Sequence, residues 1–167
     1  ALQPGEIAPA VVGATPIVNA GEVLNPFKSE QVEVGVKVDR EHYGATLAFF
    51  SITKPTSLVS NGLFSDGGEQ ENRGIDFALF GEPWKGVRVL GGVTCVDAEF
   101  TRVSGGINEG NSPIGVPDVQ MNLNLEWDLP MLPGLTVDGR VVYTDEAFLD
   151  AGNSFTIPAW TRFDIGA

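Results

Sequence analysis

The chain has 167 residues, with 22 Asp and Glu against 10 Lys and Arg for a net charge of −12, and it holds 21 Gly, 11 Pro, one Cys and one His. This length suits a single domain, and because no run of strictly apolar residues exceeds four, a transmembrane helix is excluded. So acidic a chain has no clustered cations with which to displace phosphate counterions, which argues against a nucleic-acid partner.

Cys95 alone builds no disulfide framework, and with His42 as the only histidine there is no set of ligands for a structural zinc. Cys95 reads as a small apolar side chain and His42 as a turn residue. The opening residues 1–6 carry neither the basic nor the apolar region of a signal peptide. This is expected of a processed chain or of a segment that begins partway along a longer one.

Helical periodicity is almost absent, and alternation with period two recurs instead. Segment 30–39 sets Val32, Val34, Val36 and Val38 against Gln31, Glu33, Gly35 and Lys37, and its antiparallel neighbour is expected at 43–52. Segment 70–80 places Ile75, Phe77 and Leu79 opposite Gly74, Asp76 and Ala78. In 87–102 the faces are ambiguous around Gly91-Gly92, where a bulge or tight curvature is expected. Segment 118–128 is the clearest, with Val119, Met121, Leu123, Leu125 and Trp127 on one side and Gln120, Asn122, Asn124, Glu126 and Asp128 on the other. Segments 135–144 and 159–167 repeat the pattern. Connections alternate between short turns at 39–42, 81–86 and 129–134 and long loops at 53–69, 103–117 and 145–158. Within the last loop, 145–152 is compatible with one helical turn stopped by Gly152.

Two-faced strands of about ten residues, with tight turns at one end and long loops at the other, are the pattern of an outer-membrane β-barrel. Lipid satisfies no backbone donor or acceptor, so a non-helical spanning chain must be a closed, hydrogen-bonded sheet with an apolar outside. Outer-membrane lipid is then the partner of the apolar faces, and the amide and carboxylate faces line the lumen. Tyr43, Trp84, Trp127, Tyr143 and Trp160 lie near strand ends, where interfacial aromatic girdles belong. A soluble β-sandwich with one solvated face is the rival architecture, and the regular long and short alternation speaks against it. No fixed repeat marks a solenoid.

Several stretches carry a resemblance. Residues 25–37 (Asn-Pro-Phe-Lys-Ser-Glu-Gln-Val-Glu-Val-Gly-Val-Lys), 45–50, 71–76, Gly91-Gly92-Val93-Thr94 with Asp97-Ala98, Gly115-Val116-Pro117 and 160–167 together resemble the barrel of TonB-dependent siderophore receptors. The similarity is greatest to receptors of the ferrichrome and coprogen type. The resemblance implies an all-β, antiparallel, up-and-down transmembrane β-barrel segment, about seven strands of a plugged barrel of about 22. It also implies that 1–167 is a C-terminal part of the barrel without the plug domain, that 1–29 is an extracellular loop region, and that TonB is engaged by parts of the parent chain not present here. The ligand would be a ferric siderophore, hydroxamate type favoured, and no cofactor is expected because the iron arrives wrapped in the siderophore.

No motif of a hydrolase, nucleotide-binding loop or metalloprotease is present, so the chain is not expected to be an enzyme. Asp66-Gly67-Gly68-Glu69 resembles a cation loop only faintly, and Asp145-Glu146 and Glu69/Glu71 read as solvated charge. A siderophore site needs aromatic and hydrogen-bonding side chains in the outer loops and upper lumen. Phe64, Arg73, Arg102 and Phe155 are the candidates, chosen because they lie in or beside the long loops. Arg140 near Asp138 and Glu126, and Arg162 near Asp164, read as lumen charge pairs. The alternatives are a passive porin-like or structural outer-membrane barrel, and a soluble β-sandwich binding module.

Overall fold

A computed structural model describes residues 2–12 and 14–167. Seven strands make the main sheet: β1 Glu30–Asp39, β2 Tyr43–Ser60, β3 Leu63–Trp84, β4 Val87–Arg102, β5 Val119–Asp128, β6 Thr136–Thr144 and β7 Trp160–Gly166. Each pairs antiparallel with its neighbour in sequence, so the order is up-and-down from β1 to β7. The sheet is open. Its first and last strands are edges.

Residues opposed across an antiparallel ladder share a face, so register fixes what each side presents. One rung joins Val36, Leu47, Phe77, Val93, Met121, Tyr143 and Thr161, and the next joins Val38, Ala45, Leu79, Gly91, Leu123, Val141 and Phe163. The apolar alternation of each segment thus lines up into one band running across all seven strands. The opposite face carries Gln31, Glu33, Lys37, Asp76, Thr94, Gln120, Asn122, Asn124, Asp138 and Asp164 on the intervening rungs.

At the short-turn end, Trp84, Val87, Trp127 and Val137 share a rung on the apolar face, and Tyr43 stands on the same face. Tyr143 occupies that face near the long-loop end. Trp160 departs from the girdle expected for it: opposite Thr144, it belongs to the polar face.

Three further expectations are corrected. Segment 53–69 is not a loop, because β2 and β3 continue past the sheet as a hairpin arm closed by Asn61-Gly62. Both turn residues have positive φ, 52° and 76°, as a two-residue turn of the I′ kind demands. Pro55 fits inside β2 because the pairing with β1 ends at Thr53, leaving its missing N–H with no neighbour to serve. Nor does Gly91-Gly92 bulge: the ladders run through it in register, and the irregularities fall at Gly81/Trp84 and Glu69/Gln70. The two glycines instead permit close approach, since a Cβ on Gly91 would lie 2.8 Å from Leu123 Cδ1. Residues 145–152 contain no helix; Ala147–Phe148 pairs with Thr156–Ile157 across a turn. The one helical turn among the described residues is a 3-10 turn at Ser104–Gly106.

Gly62→Val should therefore open the arm without disturbing the sheet below it. A β-branched residue in the left-handed region costs about 1–2 kcal/mol. The expected result is roughly tenfold faster amide exchange in 58–65, with exchange in β5 and β6 unchanged; equal acceleration throughout would show that the arm does not open independently.

Candidate functional site

The long-loop end of the sheet is the most built-up part of the molecule. Residues before β1 form short ladders, Leu2–Gln3 with Phe27–Lys28 and Val11–Val12 with Thr15–Pro16, and they rest on the hairpin arm. Ala8, Ile17 and Phe64 are buried together there, flanked by Leu24 and Val59. Asn19 fastens the two parts: its Nδ2 donates to the Phe64 carbonyl at 2.8 Å while the Phe64 N–H donates to its Oδ1 at 2.9 Å. The side-chain amide thus satisfies both backbone groups of Phe64, which burial would otherwise leave at a cost.

The four candidate ligand residues fall into four environments. Phe64 is in this small core, 8% exposed. Arg73 stands on the apolar-band face one rung above Ile75, opposite Ser51 and Asp97. It donates to Glu71 through Nε at 2.8 Å and Nη2 at 2.7 Å, and the Ser51 hydroxyl donates to the same carboxylate at 3.0 Å. Above the apolar band, the Arg73 guanidinium and then the Ser51 hydroxyl hold the Glu71 carboxyl below the usual carboxylate range. Arg102 ends β4 opposite Glu69 and is exposed. Phe155 projects from the last loop, 68% exposed.

Charge on the polar face gathers at the short-turn end, around a residue that was not singled out from the sequence. Arg88 donates to Glu126 at 2.8 Å and to both oxygens of Asp128 at 2.7 and 2.8 Å, and Asp128 also accepts from the Thr136 hydroxyl at 2.7 Å. The forked guanidinium bridges β4 and β5 in a way a point charge would not. Glu126 is thereby taken by Arg88 and not by Arg140, which makes no ion pair among the described residues. The expected Arg162–Asp164 pair is present at 3.0 Å.

Higher on the polar face the side chains become larger and less charged. The Phe80 ring covers Gly44, and Phe50 covers Gly74; Thr94 donates to Asp76 at 2.6 Å. Above it stand two loops, 103–118 and 145–159, rich in amides and bonded to each other. A cross-linked polar wall under amide-rich loops, with exposed Phe155 and Ile114 among them, has the chemistry of non-covalent recognition: hydrogen bonds for orientation and aromatic or aliphatic surface for contact area.

Comparison with known proteins agrees with this geometry. A family model described as "TonB dependent receptor-like, beta-barrel" matches residues 3–167. The chain is 40% identical over 168 residues to the ferrichrome receptor FcuA of Yersinia enterocolitica, covering 99% of this chain and 22% of that protein. It is 33% identical over 153 residues to the ferrichrome outer membrane transporter/phage receptor of Escherichia coli strain K12, covering 86% of this chain and 20% of that one. Among solved structures, BauA, the ferric preacinetobactin receptor of Acinetobacter baumannii, superposes with a TM-score of 0.85 at 36% identity, over 98% of this chain and 25% of its own. The chain therefore spans about a fifth of the length of the curated relatives it matches. An open seven-stranded sheet is what such a portion of a closed barrel looks like. The chain belongs to the TonB-dependent receptor β-barrel family.

Proposed function

We propose that this chain is part of the wall and outer rim of an outer-membrane receptor that takes up ferric siderophores, of the hydroxamate type. The observation that carries the reading is the 40% identity to a ferrichrome receptor along 99% of the chain, with a sheet apolar on one side and polar on the other. In this reading the apolar band meets lipid and the polar face meets the lumen. Loops 103–118 and 145–159, the hairpin arm and residues 2–28 lie on the extracellular side. TonB and a plug are engaged through other parts of the parent protein. Iron enters as cargo within the siderophore, so the wall needs no metal ligands of its own. A passive pore is disfavoured because the relatives matched along 99% and 86% of this chain are ferrichrome receptors.

Phe155 and Arg102 are the proposed ligand contacts, supported by their exposure at the long-loop end, while Phe64 is buried in the small core and Arg73 stands on the apolar-band face, away from the lumen. The test uses the full-length receptor in cells that lack their own ferrichrome uptake. Iron from ferric ferrichrome should enter only when the inner membrane is energised and TonB is present. Phe155→Ala should weaken ferrichrome binding by about tenfold, about 1.4 kcal/mol, as expected for one truncated aromatic contact. Uptake independent of TonB would replace the receptor reading with the passive one.

A further inference from the structure

Loops 103–118 and 145–159 are separated along the chain by β5 and β6, yet they share hydrogen bonds along much of their length. Asn153 Oδ1 accepts from the Ser112 N–H at 2.8 Å, and its Nδ2 donates to the Ser112 carbonyl at 3.0 Å. The side-chain amide pairs with a backbone residue as a strand neighbour would. Asn111 Nδ2 donates to the Ala151 carbonyl at 2.8 Å, and the Gly115 N–H donates to the Phe148 carbonyl at 2.9 Å. Pro113 and Ala147 are buried within these same loops.

The second loop is shaped for this contact. The Asp150 carboxylate accepts the backbone N–H groups of Gly152, Ser154 and Phe155 at 3.0, 2.9 and 2.8 Å. Wrapped around that carboxylate, the chain holds Asn153 at φ 53°, a left-handed conformation that Asn tolerates better than most residues. The turn thus presents the Asn153 amide to Ser112, and Phe155 leaves the same turn two residues later.

We propose that the two loops behave as one rigid body coupled by Asn153, so that an occupant touching Phe155 also fixes residues 111–115. Four hydrogen bonds must break before either loop moves alone, and none of them need break when both move together. Asn153 is accordingly a positioning residue for a loop pair ordered before its ligand arrives, which lowers the ordering cost of binding. The ligand part of this inference rests on the siderophore reading; the coupling does not.

The experiment is amide hydrogen exchange on the full-length receptor, with Asn153→Gly compared with the unaltered protein. Glycine keeps the positive φ and deletes the amide pair with Ser112, along with one long bond inside its own loop, from Asn153 Nδ2 to the Asp150 carbonyl at 3.4 Å. The Ser112 N–H loses its acceptor directly, so the readout is Gly115, whose own bond to the Phe148 carbonyl is untouched and whose exchange should accelerate about tenfold. Asn111→Ala, made from the opposite side, should accelerate exchange across 149–155 and keeps the question decidable should Asn153→Gly not fold. Acceleration confined to the loop that carries the substitution, in both variants, would overturn the coupling. Binding of ferric ferrichrome should weaken several-fold in Asn153→Gly with Phe155 still in place. Coupled exchange in a receptor that binds no ferrichrome would support the rigid pair and refute the siderophore reading.

Discussion

Prepared alone in water without detergent, residues 1–167 should aggregate and show no cooperative unfolding transition. The sheet has two unpaired edges: all ten residues of β1 are exposed, as are six of the seven in β7. Unpaired N–H and C=O groups along such edges recruit other strands. The apolar band adds to the hazard, with Val32 at 75%, Phe163 at 74% and Ile165 at 91% exposure. Against this, the buried core residues among those described are Ala8, Ile17, Phe27, Phe64, Ala98 and Ala147, with Pro113 beside them, too little side-chain volume to offset the conformational entropy of ordering the chain. A soluble sandwich would place a second layer over the band. Among the described residues no second layer lies against it. Sedimentation and far-ultraviolet circular dichroism in plain buffer check the expectation: a soluble monomer with a sharp melting transition would refute it and restore the sandwich.

How much of this was legible depended on whether a signal was local. β5 could be read residue by residue because Val119 to Trp127 alternate strictly with Gln120 to Asp128, and a sheet with unlike faces enforces that period at every step. The hairpin arm was hidden by Lys54-Pro55 and Gly67-Gly68, which look like loop chemistry. The signal that would have revealed it was Asn61-Gly62 between Ser60 and Leu63, the strongest short hairpin cue. Gly91-Gly92 misled in the other direction, since glycine in a strand marks either a bulge or a close neighbour, and only the ladder distinguishes them. The Arg88 cluster and the Asn111 and Asn153 bonds were beyond sequence reasoning. Their partners lie 38 to 41 residues away, a separation at which no local pattern selects one Asn or Arg from the others. For the same reason Phe64 reads from the sequence as a loop aromatic, and only the fold shows Ala8 and Ile17 burying it.

Leu123→Arg in the full-length receptor should sharply reduce the fraction that folds into a bilayer, whereas Gln120→Arg should leave it nearly unchanged. The two positions are three residues apart on β5, a strand of ten residues from Val119 to Asp128, which is the span a tilted barrel strand needs. Leu123 lies at the middle of its apolar series, on the rung that runs from Val38 to Phe163. A charge there sits near the bilayer midplane, where Arg on the lipid face of a barrel costs about 2–4 kcal/mol. Gln120 sits on the other face, opposite Thr94 and Thr144, so an arginine there stays among polar neighbours in a wet lumen and keeps its hydration. Both variants add one positive charge, at the fifth residue of the strand on the apolar face and at the second on the polar face, so the difference between them reads the burial of that charge in lipid. Heat-dependent gel mobility after refolding into lipid vesicles reads the folded fraction. At a cost of 2–4 kcal/mol the folding equilibrium shifts by roughly thirtyfold to a thousandfold, large enough to see even for a barrel with stability to spare. If both variants folded equally well, the apolar band would not be the lipid face. The orientation of all seven strands would then have to be reversed, with the Arg88–Asp128 cluster turned outward into hydrocarbon, where a partly exposed ion pair could not persist.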